Sequence, residues 1–227
     1  MENKGIEFAA IPQTAVKILT SPSNYFRNMP KTGGFIEPLV FAIVMGIISG
    51  FIQAVLGIMG LRLVIGVGMA LASVILMPII IVIGSFIGAA IMFVIWKLMG
   101  SQESYETAYR CGAYISAITP ITTILGLIPY IGSSIGIVLM VFFVVIASVE
   151  VHRIESQKAW LVFGIIGAVL ILLSISSEFT ARRISREATK FQKEWEERAK
   201  DIQKRAEDAQ KVAEELQKQL QKQFPNK

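Results

Sequence analysis

The chain has 227 residues, 53% of them hydrophobic, a mean hydropathy of +0.58, a formal charge of +5 and a pI of about 9.4. Residues 35–176 carry charge only in a few short clusters, whereas the stretch that follows is charged almost throughout. That split excludes a single soluble core and predicts an all-α polytopic membrane bundle followed by a long charged helix. The basic balance does not indicate nucleic acid, because the cations flank apolar runs or alternate with acids and form no patch with exposed aromatics. A single cysteine, Cys111, excludes an intramolecular disulfide.

Residues 1–34 read as a cytoplasmic segment. Pro12 followed by Ala15, Val16, Ile18 and Leu19 predicts a short amphipathic helix that Ser21-Pro22 ends. Tyr25, Phe26 and Met29 beside Arg27 and Lys31 suit the headgroup region. The membrane domain is expected over 35–176. Its first span covers 35–58, long enough for a hydrocarbon core of about 30 Å, with Glu37 wet at the helix start. This run is expected to act as an uncleaved membrane signal. Residues 63–99 would make one helix of roughly 55 Å, too long for a straight span. Pro78 is therefore expected to divide it, with 74–98 as the second span and 62–72 as an interfacial or partly re-entrant approach. Spans three and four, 107–127 and 131–149, form a hairpin turned at Pro129 and Gly132, with Tyr130 at headgroup level. A fifth span covers 159–176.

Five spans place Lys4, Lys17, Arg27, Lys31, Lys97, Arg110, Arg153 and Lys158 on one side and only Arg62 in the short loops of the other. The positive-inside rule then makes the N-terminus cytoplasmic and the C-terminal helix external. Trp96 and Trp160 fall at one interface, as belt residues do. The tail, 177–227, repeats apolar residues at steps of three and four: Ile184, Ala188, Phe191, Trp195, Ala199, Ile202, Ala206, Ala209, Ala213, Leu216 and Leu220. That is a heptad pattern, and acid-first pairs four apart support the helix, which Pro225 ends. It fits either a homo-oligomeric coiled coil or an amphipathic helix that binds a partner helix or the membrane.

The order of several short motifs resembles a known family. Ser21-Pro22-Ser-Asn-Tyr25-Phe26 precedes the first span, and Glu37-Pro38-Leu-Val-Phe41 opens it. Thr107-Ala-Tyr-Arg110, Tyr114 and the mid-helix Pro120 mark the third span. Ile128-Pro129-Tyr130-Ile131-Gly132 makes the hairpin, and His152-Arg-Ile-Glu-Ser-Gln-Lys-Ala159 follows the fourth span. Together they resemble the Yip (Ypt-interacting-protein) family over roughly residues 10–175. The eukaryotic branch's aspartate-rich glycine-proline signature is missing, which implies a prokaryotic member and hence a plasma membrane. Eukaryotic relatives bind small GTPases and organise vesicle membranes, so what the resemblance implies here is membrane organisation or an adaptor role. The charged tail lies outside the family pattern.

Catalysis finds little support. The one histidine, His152, is expected in a solvated, charged loop, and Cys111 as an inert buried thiol. No metal or cofactor site is indicated, and no phosphate-cradling loop is present. Gly46-x-x-x-Gly50, Gly84-x-x-x-Gly88 and Gly132-x-x-x-Gly136 place small residues one turn apart on three spans, which suits close helix packing in lipid. No span holds a central Asp, Glu, Lys or Arg, which counts against an ion-coupled carrier. Two functions follow: a membrane scaffold or adaptor that self-associates or recruits a partner through its tail, or a channel or transporter for a small solute or lipid.

Overall fold

A computed structural model of the chain describes residues 8–59 and 67–223, with side chains left aside at 8, 67–80, 181–189, 192–193, 207 and 214–223. Lys4, Arg62 and Pro225 lie outside the described residues, as does the 62–66 part of the expected approach at 62–72. So do the side chains of Ile184, Ala188, Leu216 and Leu220. Every regular element described is helical. The chain divides into two compact units, Met1–Ile175 and Ser176–Lys227.

In the first unit, a 3-10 turn at Phe8–Ala10 leads into α1, Ile11–Thr20, and α2, Pro22–Asn28. Pro12 and Pro22 stand at the first turns of these helices, where a missing N–H is harmless. Next come α3, Ile36–Ile58, and α4, Val67–Leu98. α4 is continuous through Pro78, so that proline does not divide it. In lipid, neighbouring groups and local adjustment can satisfy the carbonyl that a proline frees.

The expected third span, 107–127, is not one helix. It consists of α5, Tyr105–Ile115, a 3-10 turn at Ser116–Ile118, and α6, Thr119–Leu125. Pro120 is the cause, since its ring crowds the carbonyl four residues back and it lacks a donor. Ser104 caps α5 by accepting from the Thr107 amide at 3.2 Å. α7, Ile131–Glu150, and α8, Ser156–Gln223, complete the order. Among the described residues, four helices are long and apolar enough to cross a membrane: Ile36–Ile58, Ile81–Leu98, Ile131–Glu150 and the Ser156–Thr180 part of α8. This is a membrane protein.

α5, with 11 residues, is too short for that criterion, and protein surrounds it. Thr107 to Cys111 and Ala113 to Ile115 are all buried. It lies against α3 and α4, with Tyr109 stacked on Phe86 at a centroid distance of 4.5 Å and edge-on to Phe35 at 5.2 Å. Further along, Ser49 of α3 donates to Thr119 Oγ1 at 3.0 Å. Outward faces are apolar instead: Ile47 and Phe51 on α3, Ile87 and Ile91 on α4, and Leu161 and Ile165 on α8 are exposed. These are the faces a bilayer would cover.

The glycines do not behave as one set. A Cβ on Gly132 would overlap the Leu125 carbonyl, and one on Gly136 would meet Thr122 at 3.5 Å, so the hairpin closes at this helix pair. Gly46 faces Ile81 of α4, whereas an added Cβ on Gly50, Gly84 or Gly88 meets nothing within 4 Å. Tyr130 turns the hairpin with a left-handed φ of 62°. Gly132→Ala should therefore destabilise the fold by about 1–3 kcal/mol, the usual cost of forcing atoms into a filled site. Gly84→Ala should be close to neutral. Thermal melting in detergent that ranked the two alike would refute this placement.

Candidate functional site

Polar chemistry in the first unit gathers at one end of the bundle, where α3 and α5 begin, α4 and α7 finish, and α8 starts. Its centre is Arg110, only 1% exposed. The guanidinium donates to Pro30 O at 2.8 Å through Nε, to Gly34 O at 2.8 Å through Nη1, and to Glu37 Oε2 at 3.2 Å through Nη2. One turn earlier on the same face, Thr107 Oγ1 donates to Lys31 O at 3.2 Å. Glu106 accepts from the Gly34 amide at 2.6 Å. The first turns of α5 thus bind the 30–34 loop through its backbone. That loop bends at Gly33 and Gly34, with φ of 126° and 85°, a conformation that glycine adopts without strain. A Cβ on Gly33 would lie in van der Waals contact with the Arg110 guanidinium, 3.5 Å away.

Ion pairs tie the same end together. Arg27 makes a bidentate pair with Glu150 at 2.8 and 3.0 Å, and Lys31 meets Glu103 at 2.6 Å. Lys158 donates to the Met99 carbonyl at 2.8 Å, fixing the start of α8 on the end of α4.

His152 is buried, which corrects the expectation of a solvated loop histidine. Its ring stacks on Trp96 at a centroid distance of 3.9 Å and an interplanar angle of 20°. Nδ1 lies 2.8 Å from Ser101 Oγ, and Nε2 lies 3.8 Å from Cys111 Sγ. Burial first, then the positive charges of Lys31 and Lys97, push its pKa down to about 3, so the imidazole is neutral. Trp96 is only 1% exposed and is not a belt residue: its indole donates to Ser148 Oγ at 2.7 Å. Trp160, by contrast, is 48% exposed. Phe26 and Met29 are likewise buried in the core instead of lying among headgroups, and Tyr25 packs edge-on to Tyr114 at 5.4 Å. Phe41 covers Tyr114 from α3 at 5.2 Å, and Pro38 is fully buried beside this cluster's helix start. Cys111 is a buried free thiol.

Most of the motifs scattered along the chain thus meet at this end, whereas Pro120 and the Ile128–Gly132 turn lie away from it. A family model of the Yip1 domain matches residues 16–177. The chain belongs to the Yip1 family. No curated protein and no solved structure gives a match.

In this Yip1 domain, the segment from His152 to Ala159 is a folded clasp. His152 lies under Trp96, Arg153 turns the chain with φ of 57°, and Ile154 and Ala159 are buried. Sequence reasoning missed the partners Ser101, Glu103 and Ser148, which are short polar residues next to unremarkable helix ends. The available signal was the polar run Ser101-Gln-Glu-Ser104 at the break between two apolar segments.

The arrangement orders a loop and joins helix ends. Among the described residues no three His, Cys, Asp or Glu side chains gather as metal ligands, and no buried side-chain N or O lacks a hydrogen-bond partner. Arg110→Lys should be costly, because one ammonium cannot reach three separated acceptors; buried carbonyls left unpaired cost about 1–3 kcal/mol each. Glu37→Gln should cost no more than about 1 kcal/mol, since that carboxylate is largely exposed. Melting temperatures in detergent would show this ranking, and equal losses would contradict it.

His152 gives a pH signature. Above its ordinary value of 6.5 the imidazole is neutral in both folded and unfolded chains. As pH falls from there toward 3, only the unfolded chain takes up the proton, so stability is lost. The wild-type melting temperature should therefore drop between pH 7 and pH 5, by more than that of His152→Gln. Parallel curves for the two proteins would rule out a buried neutral imidazole.

Proposed function

We propose that this Yip1-family membrane protein is a non-enzymatic scaffold or adaptor that self-associates, or recruits a partner helix, through its C-terminal helix. The observation that carries this reading is the apolar stripe of the tail. Phe191, Trp195 and Ile202 are 62%, 57% and 67% exposed, with Ala206, Ala209 and Ala213 exposed on the same heptad register. Phe191 and Trp195 pack edge to face at 5.9 Å, a preformed aromatic anchor. Asp201 pairs with Arg205 at 3.1 Å, one of the acid-first pairs four apart that favour the helix. The alanine positions bury little area each, and tethering every copy to one bilayer offsets that weakness by raising the effective concentration.

The topology that goes with this reading has five crossings, with 105–125 as the third. That interrupted run is about 31 Å long at helical rise, much like α7. It begins beside Glu37, passes Ser49 and meets α7 at Gly132, so it follows α3 through the bundle. An odd count puts a cytoplasmic N-terminus and an exported tail on opposite faces of a prokaryotic plasma membrane. The transport alternative receives less support, because polar groups inside the bundle pair with each other, as in Ser49–Thr119, Ser85–Tyr109 and Trp96–Ser148.

Single cysteines placed along 202–220 in a Cys111→Ala background test the assembly. Oxidative cross-links should recur at heptad spacing in native membranes, and none at any position would end the self-association reading. Impermeant maleimide on intact cells tests the topology: a cysteine at 208 should be labelled and one at 102 protected.

A further inference from the structure

Between α1, α3 and the 117–121 segment lies an apolar groove of about 490 Å³, within the range of roughly 300–1,000 Å³ typical of small-ligand sites. Ala15 and Leu19 of α1 form one wall, Met45 and Ile48 of α3 the other, and Pro120 and Ile121 the floor. We propose that this groove holds one acyl chain of a bilayer phospholipid as a fixed lipid site.

Two observations identify the occupant. The walls named offer no side-chain hydrogen-bonding group, so a peptide or polar ligand seated there would lose its water contacts without replacement. An acyl chain loses nothing of that kind. The groove is also continuous with surface that lipid covers: Ile48 is 40% exposed and Ile47 beside it 62%, while Ile121 and Ile124 on the other side are 40% and 53% exposed.

α1 closes the groove because its opposite face, with Gln13 and Lys17 exposed, is polar, while Ile11 and Ile18 anchor it in the protein core. Pro120 shapes the floor by interrupting the helix at 116–118, which sets α6 off from the line of α5.

The test uses the full chain in nanodiscs of phosphatidylcholine and phosphatidylglycerol, with a phospholipid carrying a mid-chain diazirine. After photolysis, mass spectrometry should find label concentrated on 44–48 and 117–121, above the level on the lipid-facing residues Leu161 and Ile165 of α8. Ala15→Leu and Ala15→Trp fill the groove. Each should lower labelling at these two segments, Ala15→Trp by about tenfold, which is what displacing two buried methylenes is worth. Labelling at Leu161 and Ile165 should stay unchanged, which also verifies that the variants are folded. Groove labelling no higher than at α8, or insensitive to both variants, would overturn the proposal. So would cross-links showing the same segments occupied by a second copy of the chain.

Discussion

The Arg110 guanidinium lies inside the protein at the end of a membrane helix bundle, and a buried cation of that kind is stable only where acceptors surround it. Two backbone carbonyls and one carboxylate do so here. That requirement reaches outward. The carbonyls belong to the 30–34 loop, so the loop must fold over α5 before the first membrane helix can begin at Ile36. α5 must in turn sit inside the bundle, since a helix bearing Glu106, Arg110 and three tyrosines could not face hydrocarbon. The apolar helices around it then supply the lipid-facing surface.

Around this centre the polar end of the unit behaves as a set of clasps, each joining segments distant in the chain. Arg27 reaches Glu150, Lys31 reaches Glu103, Lys158 reaches the end of α4, and the Trp96 indole binds Ser148 while its ring covers His152. The exposed pairs contribute little individually. Their effect comes from cooperating with the buried contacts, because one loop and four helix ends are held at once. The opposite end relies on shape: Gly132 lets α7 approach the Leu125 backbone where a side chain could not fit.

For a Yip1-family protein this distribution of chemistry bears on function. The polar residues that look eligible for catalysis or transport are consumed in holding the fold together, and the tail's apolar stripe remains exposed in the chain. The groove beside α1 adds a second surface whose chemistry matches a lipid chain.

Much of the architecture was legible in residue order. Apolar runs of membrane length, proline at helix starts, the Pro129–Gly132 turn and the tail's three-and-four spacing follow from local chemistry, and the motif order carried the family. What local chemistry could not give was which polar residues are buried. In sequence Arg110 reads as a flanking charge at the start of a span and His152 as a charged-loop residue, yet Arg110 is buried by carbonyls that arrive from 76 to 80 positions away. His152 is covered by Trp96 and bound to Ser101, neither of which lies near it in the chain. Pro78 and Pro120 show the same division: a proline signals a possible break, but α4 continues while the α5–α6 run is interrupted. Sequence determined the helices, the turns and the membrane character, because those depend on neighbours within a few residues. Only the tertiary structure decided which side chains lose water, because desolvation depends on everything that packs around a group.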